Sequence, residues 1–333
     1  MITKTTIGVL FQACLLAFPG LTLAASVLDA AKKEGVVVLY AAGNVEDFQK
    51  LNGAFEKKYP FLKVQLFRAN WERVRNRATT EARAGSHFVD VLHVDGINGW
   101  ILKEQNLLQP HKSRETDDFP QDFKDPTGLL PCCFDILTNV IGFNTKLVPR
   151  QDAPKTYTDL LQPRWKGRLG MDADEGEWFA ALVTIWGKEK TADYFRSLMK
   201  QEPSSRRGHT LLANLTAAGE FAVAVNLFGY RVLEMQAKGE AIDLVHADPL
   251  VVRPAHLSLA RQAPHPNAAR LYMDFVFSVE GQQIIASVGR TVIKPGVQTK
   301  YGNLVEGIKL HPVKPEMAKN YEETSKLYYS IVK

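Results

Sequence analysis

The chain of 333 residues has 45% hydrophobic and 23% charged residues and a formal net charge of +5. This is the composition of a soluble globular protein long enough for two medium domains. Its 41 basic and 36 acidic side chains are scattered along the sequence, not gathered into a stripe, which argues against nucleic-acid binding.

The first residues, MITKTTIGVLFQACLLAFPGLTLAAS, carry one lysine, an apolar run from Ile7 to Phe18 and a small-residue end. That pattern predicts a secretory signal peptide over residues 1–24, cut after Ala24 or Ala25, and a periplasmic mature protein. A membrane anchor fits less well, because Gln12, Pro19 and Gly20 interrupt a run already shorter than the roughly 20 residues a span needs. Cys14 lies too early for lipid attachment. The remaining cysteines, Cys132 and Cys133, are covalent neighbours, so no ordinary structural disulfide is expected.

VVVLYAAGN (36–44) reads as a strand, and VEDFQKLNGAFEKKYP as a helix, with Val45, Phe48, Leu51 and Phe55 at helical spacing and Asn44 as N-cap. KVQLFRAN is a second strand. WERVRNRATTEARAG is a second helix with Trp71, Val74, Ala78 and Ala82 on one face, and VDVLHVDG is a third strand ending at Asp95-Gly96. Strand alternating with helix predicts an α/β domain around a mostly parallel sheet. From residue 129 the texture changes to a long β-rich passage, LLPCCFDILTNVIGFNTKL. Helical segments follow, ending near Gly187, Lys200 and Gly219, and then a strand, EFAVAVNL. The β-rich AIDLVHADPLVVRPAHLSLAR and the helices PNAARLYMDFVFS and EGQQIIASVG come next. Two α/β blocks joined by two extended passages, one outbound and one returning, suggest two lobes on a double-strand hinge.

No phosphate-cradling GxxxxGK[ST], no GxGxxG, no GxSxG and no HExxH occurs, and no catalytic residue or cofactor is expected. In MDADEGE, Asp172 and Asp174 are spaced like phosphotransferase aspartates but lack the Thr or Val two residues on, so the segment reads as an acidic turn or a ligand-contact loop. His93, His209, His246, His256 and His265 fall at no metal-ligand spacing with cysteines or carboxylates, so no metal site is expected. Tyr328-Tyr329 reads as a terminal helix burying one ring. What recurs is a polar group where a strand ends and a helix begins: Asn44, then Arg68 and Asn70, then Asp95-Gly96. In open α/β sheets such positions converge on one crevice, and helix N-termini there favour anions. In VNLFGYR, period-two spacing puts Asn226, Phe228 and Tyr230 on one side.

The stretches KEGVVVLYAAGNVEDFQKLNGAFEKKYPFLKV, TTEARAGSHFVDVLHVDG, NVIGFNTKLVPRQDAPKTYTDLLQPRWKGRLGMDADEGEWFAALV, RGHTLLANLTAAGEFAVAV and APHPNAARLYMDFVFSVEGQQIIASVGR resemble the extracytoplasmic solute-binding proteins of ATP-binding-cassette (ABC) importers. The branch is the one that includes ferric-ion binders and their organic-ligand cousins, and the likeness covers nearly all of the mature chain. It implies a type II periplasmic-binding-protein fold that closes on its ligand, with lobe 1 over 26–132 plus 250–298 and lobe 2 over 133–249 plus 299–333. It also implies a monomer that serves membrane permease subunits and a separate ATPase.

Iron-binding members carry two consecutive tyrosines where this chain has Leu227 and Phe228, which offer no oxygen to Fe³⁺. The resemblance therefore implies an organic-ligand site floored by Asn226, Phe228 and Tyr230. Its first-lobe contacts would come from Asn44, Arg68, Asn70, Asp95 and Gly96. Second-lobe contacts would come from Asp172, Trp178 and the loop Arg207-Gly208-His209-Thr210, with Thr210 capping the helix LLANLTAA. Arg68 and Arg207, facing each other across the cleft, would select a small organic anion. The alternatives are a ferric-ion binder using other ligands, with or without a synergistic anion, and a secreted Mg²⁺-dependent phosphatase built on Asp172 and Asp174.

Overall fold

The computed structural model describes residues 19–302 and 304–332, with side chains from residue 27 onward. Most of the expected signal peptide, residues 1–18, lies outside the described residues. The chain runs α1 (Pro19–Glu34), β1 (Val36–Ala41), α2 (Val45–Lys58), β2 (Lys63–Arg68), α3 (Trp71–Arg83), β3 (Val91–Asp95), α4 (Gly96–Glu104), β4 (Leu108–Gln109) and β5 (Cys132–Asn144). It continues with β6 (Leu169–Asp172), α5 (Gly176–Trp186), α6 (Lys188–Met199), β7 (Ser204–Arg206), α7 (His209–Ala218), β8 (Val223–Phe228), α8 (Gly229–Ala237) and β9 (Ile242–Val245). It ends with β10 (Leu250–Ala260), α9 (Pro266–Phe277), α10 (Val279–Ser287), β11 (Leu310–Pro312) and α11 (Tyr321–Val332).

The amphipathic pattern explains the first helices. α2 buries Phe48, Leu51 and Phe55, and α3 buries Val74 and Ala78 while the Asn70 side chain accepts a hydrogen bond from the Arg73 amide at 2.9 Å. A side chain that caps the first turn in this way stabilises a helix start by about 1 kcal/mol. Strands follow the order β2-β1-β3-β10-β5-β8-β6-β7. β1 lies parallel to β2 and β3, and β6 parallel to β7 and β8, while β10 and β5 run antiparallel to each other and to their outer neighbours.

β5 and β10 serve both lobes. Residues 132–138 of β5 pair with β10, and residues 139–144 pair with β8 and β9. β10 in turn pairs with β3 over 255–259. All thirteen residues of β5 are buried, as a strand covered on both faces must be. Around this pair the apolar side chains divide. Phe48, Phe55, Leu257, Tyr272 and Phe275 share one core in the first lobe, whereas Trp165, Trp178, Phe179, Phe195 and Tyr328 share another in the second. The chain is thus an α/β protein of two lobes on a two-strand hinge. Cys132 and Cys133, for which the sequence predicts no ordinary disulfide, are joined to each other at the start of β5 and tie no distant segments together.

Candidate functional site

Between the lobes lies a cavity of about 260 Å³. Ala42, Gly43, Asn44, Asp47 and Phe48 line it from the β1–α2 junction, Arg68 to Trp71 from the β2–α3 junction, and Phe134, Asp135 and Leu137 from the hinge strand β5. Phe228 and Tyr230 enter from the β8–α8 junction, and Arg290 follows α10. The N-cap positions of α2, α3 and α8 are Asn44, Asn70 and Phe228. Three helix N-termini therefore open into one cavity, each presenting amide groups that have no partner within the helix. Gly229 allows α8 to start this close to the hinge, since a Cβ there would overlap the Thr138 hydroxyl.

Arg290 is the charged centre of the cleft. It is 9% exposed, its Nε and Nη2 reach Asp47 Oδ2 at 2.9 and 2.8 Å, its Nη1 stands 3.7 Å from Asp135, and it lies 4.6 Å over the Tyr230 ring. Burial opposes its charge, but Asp135, Tyr230 and Asp47 outweigh burial and raise its pKa. Burial pushes the Asp135 carboxyl up to about 6 against the pull of Arg290. Arg68, by contrast, is exposed, and its Nε donates to the Gly43 carbonyl at 2.8 Å without an acidic partner among the described residues.

Two buried donors in the lining lack acceptors among the described residues. Burial, reinforced by Arg290, pushes His93 down to about 3, so its ring is neutral. Its Nδ1 accepts from the Ala42 amide at 3.3 Å, which assigns the proton to Nε2, and Nε2 has no partner. Trp71 Nε1 has none either.

Behind Phe228 lies a second, sealed polar cluster. Arg253, on β10, pairs with Glu177 and lies 5.6 and 5.8 Å over the rings of Trp71 and Phe228. Burial raises Glu177 to about 7, with Arg253 pulling down and Asp95 pushing up. Burial holds the Glu175 carboxyl well above its usual range, again opposed by Arg253. Asp172 is raised by burial and tempered by hydrogen bonds from the amides of Asp174 and Gly208, at 3.0 and 2.8 Å. His209 is pushed down to about 3 by burial and then by Arg253. Its Nε2 lies 3.2 Å from Glu175 Oε1 and its ring 3.7 Å from that of Phe228. Asn226 accepts from Asn139 Nδ2 at 2.8 Å.

Of the ligand contacts expected from the sequence, Asn44, Arg68, Asn70, Phe228 and Tyr230 line the cavity, and the other expected contacts stand elsewhere. Asp95 caps α4 by accepting from the Asn98 amide at 2.7 Å, and Gly96 packs against Pro315 and His256. Asp172, His209 and Asn226 belong to the sealed cluster. Trp178 is buried in the second-lobe core because an apolar helix face places it there. Arg207 does not oppose Arg68. Its side chain is 81% exposed and turned to Asp174 at 3.1 Å.

Nor does Thr210 cap α7. The helix starts two residues earlier than expected, and the cap is Gly208, whose φ of +101° suits glycine. Sequence spacing does not reveal which histidine meets carboxylates in space. Strand pairing of β6 with β7 brings His209 to Asp172 and Glu175, although 34 residues separate His209 from Glu175 in sequence. Sequence reasoning misses Asp47, Trp71, His93, Asp135, Arg253 and Arg290. Only Asp47, in the first turn after Asn44, carries a local signal.

Residues 101–320 match the family described as bacterial extracellular solute-binding protein. An uncharacterized protein of Haemophilus influenzae is 24% identical over 54% of this chain, and the match spans 56% of that protein's length. Iron uptake protein A1 of Synechocystis is 23% identical over 79% of this chain and 76% of its own. Among solved structures, the Trichodesmium FutA complex with iron and citrate has a TM-score of 0.77 at 20% identity, covering 89% of this chain and 99% of that one. The periplasmic binding protein AfuA of Actinobacillus pleuropneumoniae, with fructose-6-phosphate bound, has a TM-score of 0.71 at 21% identity, covering 90% and 96%. These structural likenesses establish the two-lobed fold. Among the described residues no helix is long and apolar enough to cross a membrane.

Proposed function

The chain belongs to the family of bacterial extracellular solute-binding proteins, and on that premise we propose that it captures a small organic anion in the interlobe cavity. It works as a periplasmic monomer that hands the solute to the permease of an ABC importer, with the lobes 26–132 plus 250–298 and 133–249 plus 299–333 closing on it. The observation that carries the anion is the donor excess of the cavity. The N-termini of α2, α3 and α8, the Arg68 guanidinium and the orphaned N–H groups of His93 and Trp71 meet in one space. A carboxylate or phosphate supplies acceptors for all of them. The rings of Phe48, Phe134, Phe228 and Tyr230 exclude water and strengthen each contact. A volume of about 260 Å³ favours a compact solute, just below the roughly 300 Å³ at which drug-sized pockets begin.

A second reading, a ferric-ion binder, is favoured by the Tyr230 phenol and the carboxylates of Asp47 and Asp135 in the lining. Against it, Leu227 is buried in the core, Phe228 has no oxygen, and Arg290 already occupies the space among those three oxygen donors. A cation would have to displace a guanidinium. The phosphatase reading weakens because Asp172 is buried and held by backbone amides. A thermal-shift screen decides among them. A ligand at 100 times its Kd adds about 2.7 kcal/mol of stability, so carboxylates or phosphorylated compounds shift the melt if the anion reading holds, and Fe³⁺ alone does so if it fails.

A further inference from the structure

We propose that Asp172, Glu175 and His209 form a second site, behind Phe228, for one divalent transition-metal ion of the zinc or manganese class. One ligand atom from each of the three lies within 4.8 Å of the others. Two ligands each about 2.1 Å from one tetrahedral ion stand about 3.4 Å apart, so atoms as far apart as 4.8 Å must draw in by up to about 1.4 Å when the ion binds. They come from three chain junctions, the end of β6, the start of α5 and the first residue of α7, so the site is fixed by strand pairing, not by a mobile loop.

The independent sign is Glu175. It is 1% exposed, and among the described residues neither carboxylate oxygen accepts a hydrogen bond of normal geometry, although Oε1 faces His209 Nε2 at 3.2 Å and the Asn226 side chain stands beside the group. Buried carboxylates are ordinarily paired or bound to metal. The charge count points the same way. Among the described residues Asp95, Asp172, Glu175 and Glu177 surround one guanidinium, Arg253, whose Nη2 pairs with Glu177 and whose Nε makes no hydrogen bond.

Asp172 is oriented as a metal ligand should be. The amides of Asp174 and Gly208 each hold one of its oxygens and leave a lone pair on each, the kind of outer support that fixes ligating carboxylates. The His209 ring is held against Phe228, and among the described residues its Nδ1 makes no hydrogen bond of normal geometry, with the Asn226 backbone beside the ring. One imidazole nitrogen with two carboxylates suits zinc, manganese or ferrous iron, and no thiolate is present to select softer ions.

The test uses the full-length mature protein, stripped with chelator and titrated calorimetrically with Zn²⁺ and Mn²⁺. The expected result is one equivalent bound, with affinity falling at least tenfold in Glu175→Gln and in His209→Gln and unchanged in Arg68→Ala, which alters only the cleft. Because either glutamine variant could fold poorly, Co²⁺ added to the wild type provides a second reading. Visible ligand-field bands, abolished by competing Zn²⁺, are expected. Failure of the wild type to bind either ion, binding that both glutamine variants retain, or binding lost in Arg68→Ala would overturn the assignment.

Discussion

The two sides of the Phe228 ring make instructive neighbours. On the cleft side, charge is balanced and accessible. Arg290 sits between Asp47 and Asp135, and Arg68 stands exposed with no acidic partner among the described residues. On the far side, charge is sealed and unbalanced, with carboxylates crowded around Arg253. An open site can leave a cation uncompensated because water solvates it until a guest arrives. A closed cluster has no such recourse, so its surplus charge must be met by protons, a metal or a partner side chain. The contrast supports the proposal that the cleft takes an anionic solute while the sealed cluster serves structure or holds a cation.

Removing Arg253 breaks the contrast most severely. Arg253→Ala strands Glu177 and its neighbours without a counter-charge, and loss of one member of a buried pair costs about 3–5 kcal/mol. Denaturant unfolding should show that loss. A midpoint within error of the wild type would mean that the carboxylates are already neutral.

Arg68→Ala sharpens the contrast from the other side. Hydrogen bonds to charged groups contribute about 1.5–3 kcal/mol, so affinity for the anionic solute should fall roughly ten- to a hundredfold while unfolding moves by less than about 0.5 kcal/mol. Isothermal titration and a melt together check both halves.

Asp135 adds pH dependence. Its pKa rises from 3.8 to about 6 in the folded chain, so between those values the native state binds more protons than the unfolded one. Its favourable contribution is complete below pH 3.8 and is lost as pH rises through about 6. Protonation also removes a negative charge from the cavity. Solute affinity should therefore tighten as pH falls from about 7.5 to about 5, by roughly tenfold for about 1.4 kcal/mol of relieved repulsion, for a solute that does not itself titrate there. Asp135→Asn should flatten both profiles, and a variant that keeps the wild-type slope would remove Asp135 from the account.

The smallest effect belongs to Arg207. Exposed ion pairs contribute at most about 1 kcal/mol, so Arg207→Ala should leave solute affinity unchanged and stability within about 0.5 kcal/mol. A tenfold loss of affinity would restore this loop to the cleft.

The α/β order and the two lobes are legible in the sequence because hydrophobic periodicity and strand–helix junctions are local signals. Asn44, Arg68, Asn70, Phe228 and Tyr230 are legible for the same reason, each standing at such a junction. Arg290, Asp135 and Arg253 are not. Each becomes buried only through pairings that span the chain, such as Arg290 with Asp47 across 243 residues. Arg207 misleads because a loop arginine's direction depends on its partner, here Asp174, and not on its place in sequence. Trp178 misleads because a ring one turn into an apolar helix serves a core as readily as a ligand. The meeting of His209 with Glu175 is hidden by sequence distance and arises from the β6–β7 pairing.

The central claim is that the cleft holds a small organic anion. Mass spectrometry of the molecules released when freshly purified, secreted protein is denatured tests it most directly. The account predicts one compact carboxylate or phosphorylated compound in near-stoichiometric amount, depleted in the Arg68→Ala protein. Stoichiometric iron without an organic anion, or a neutral or cationic solute retained equally by wild type and Arg68→Ala, would contradict it.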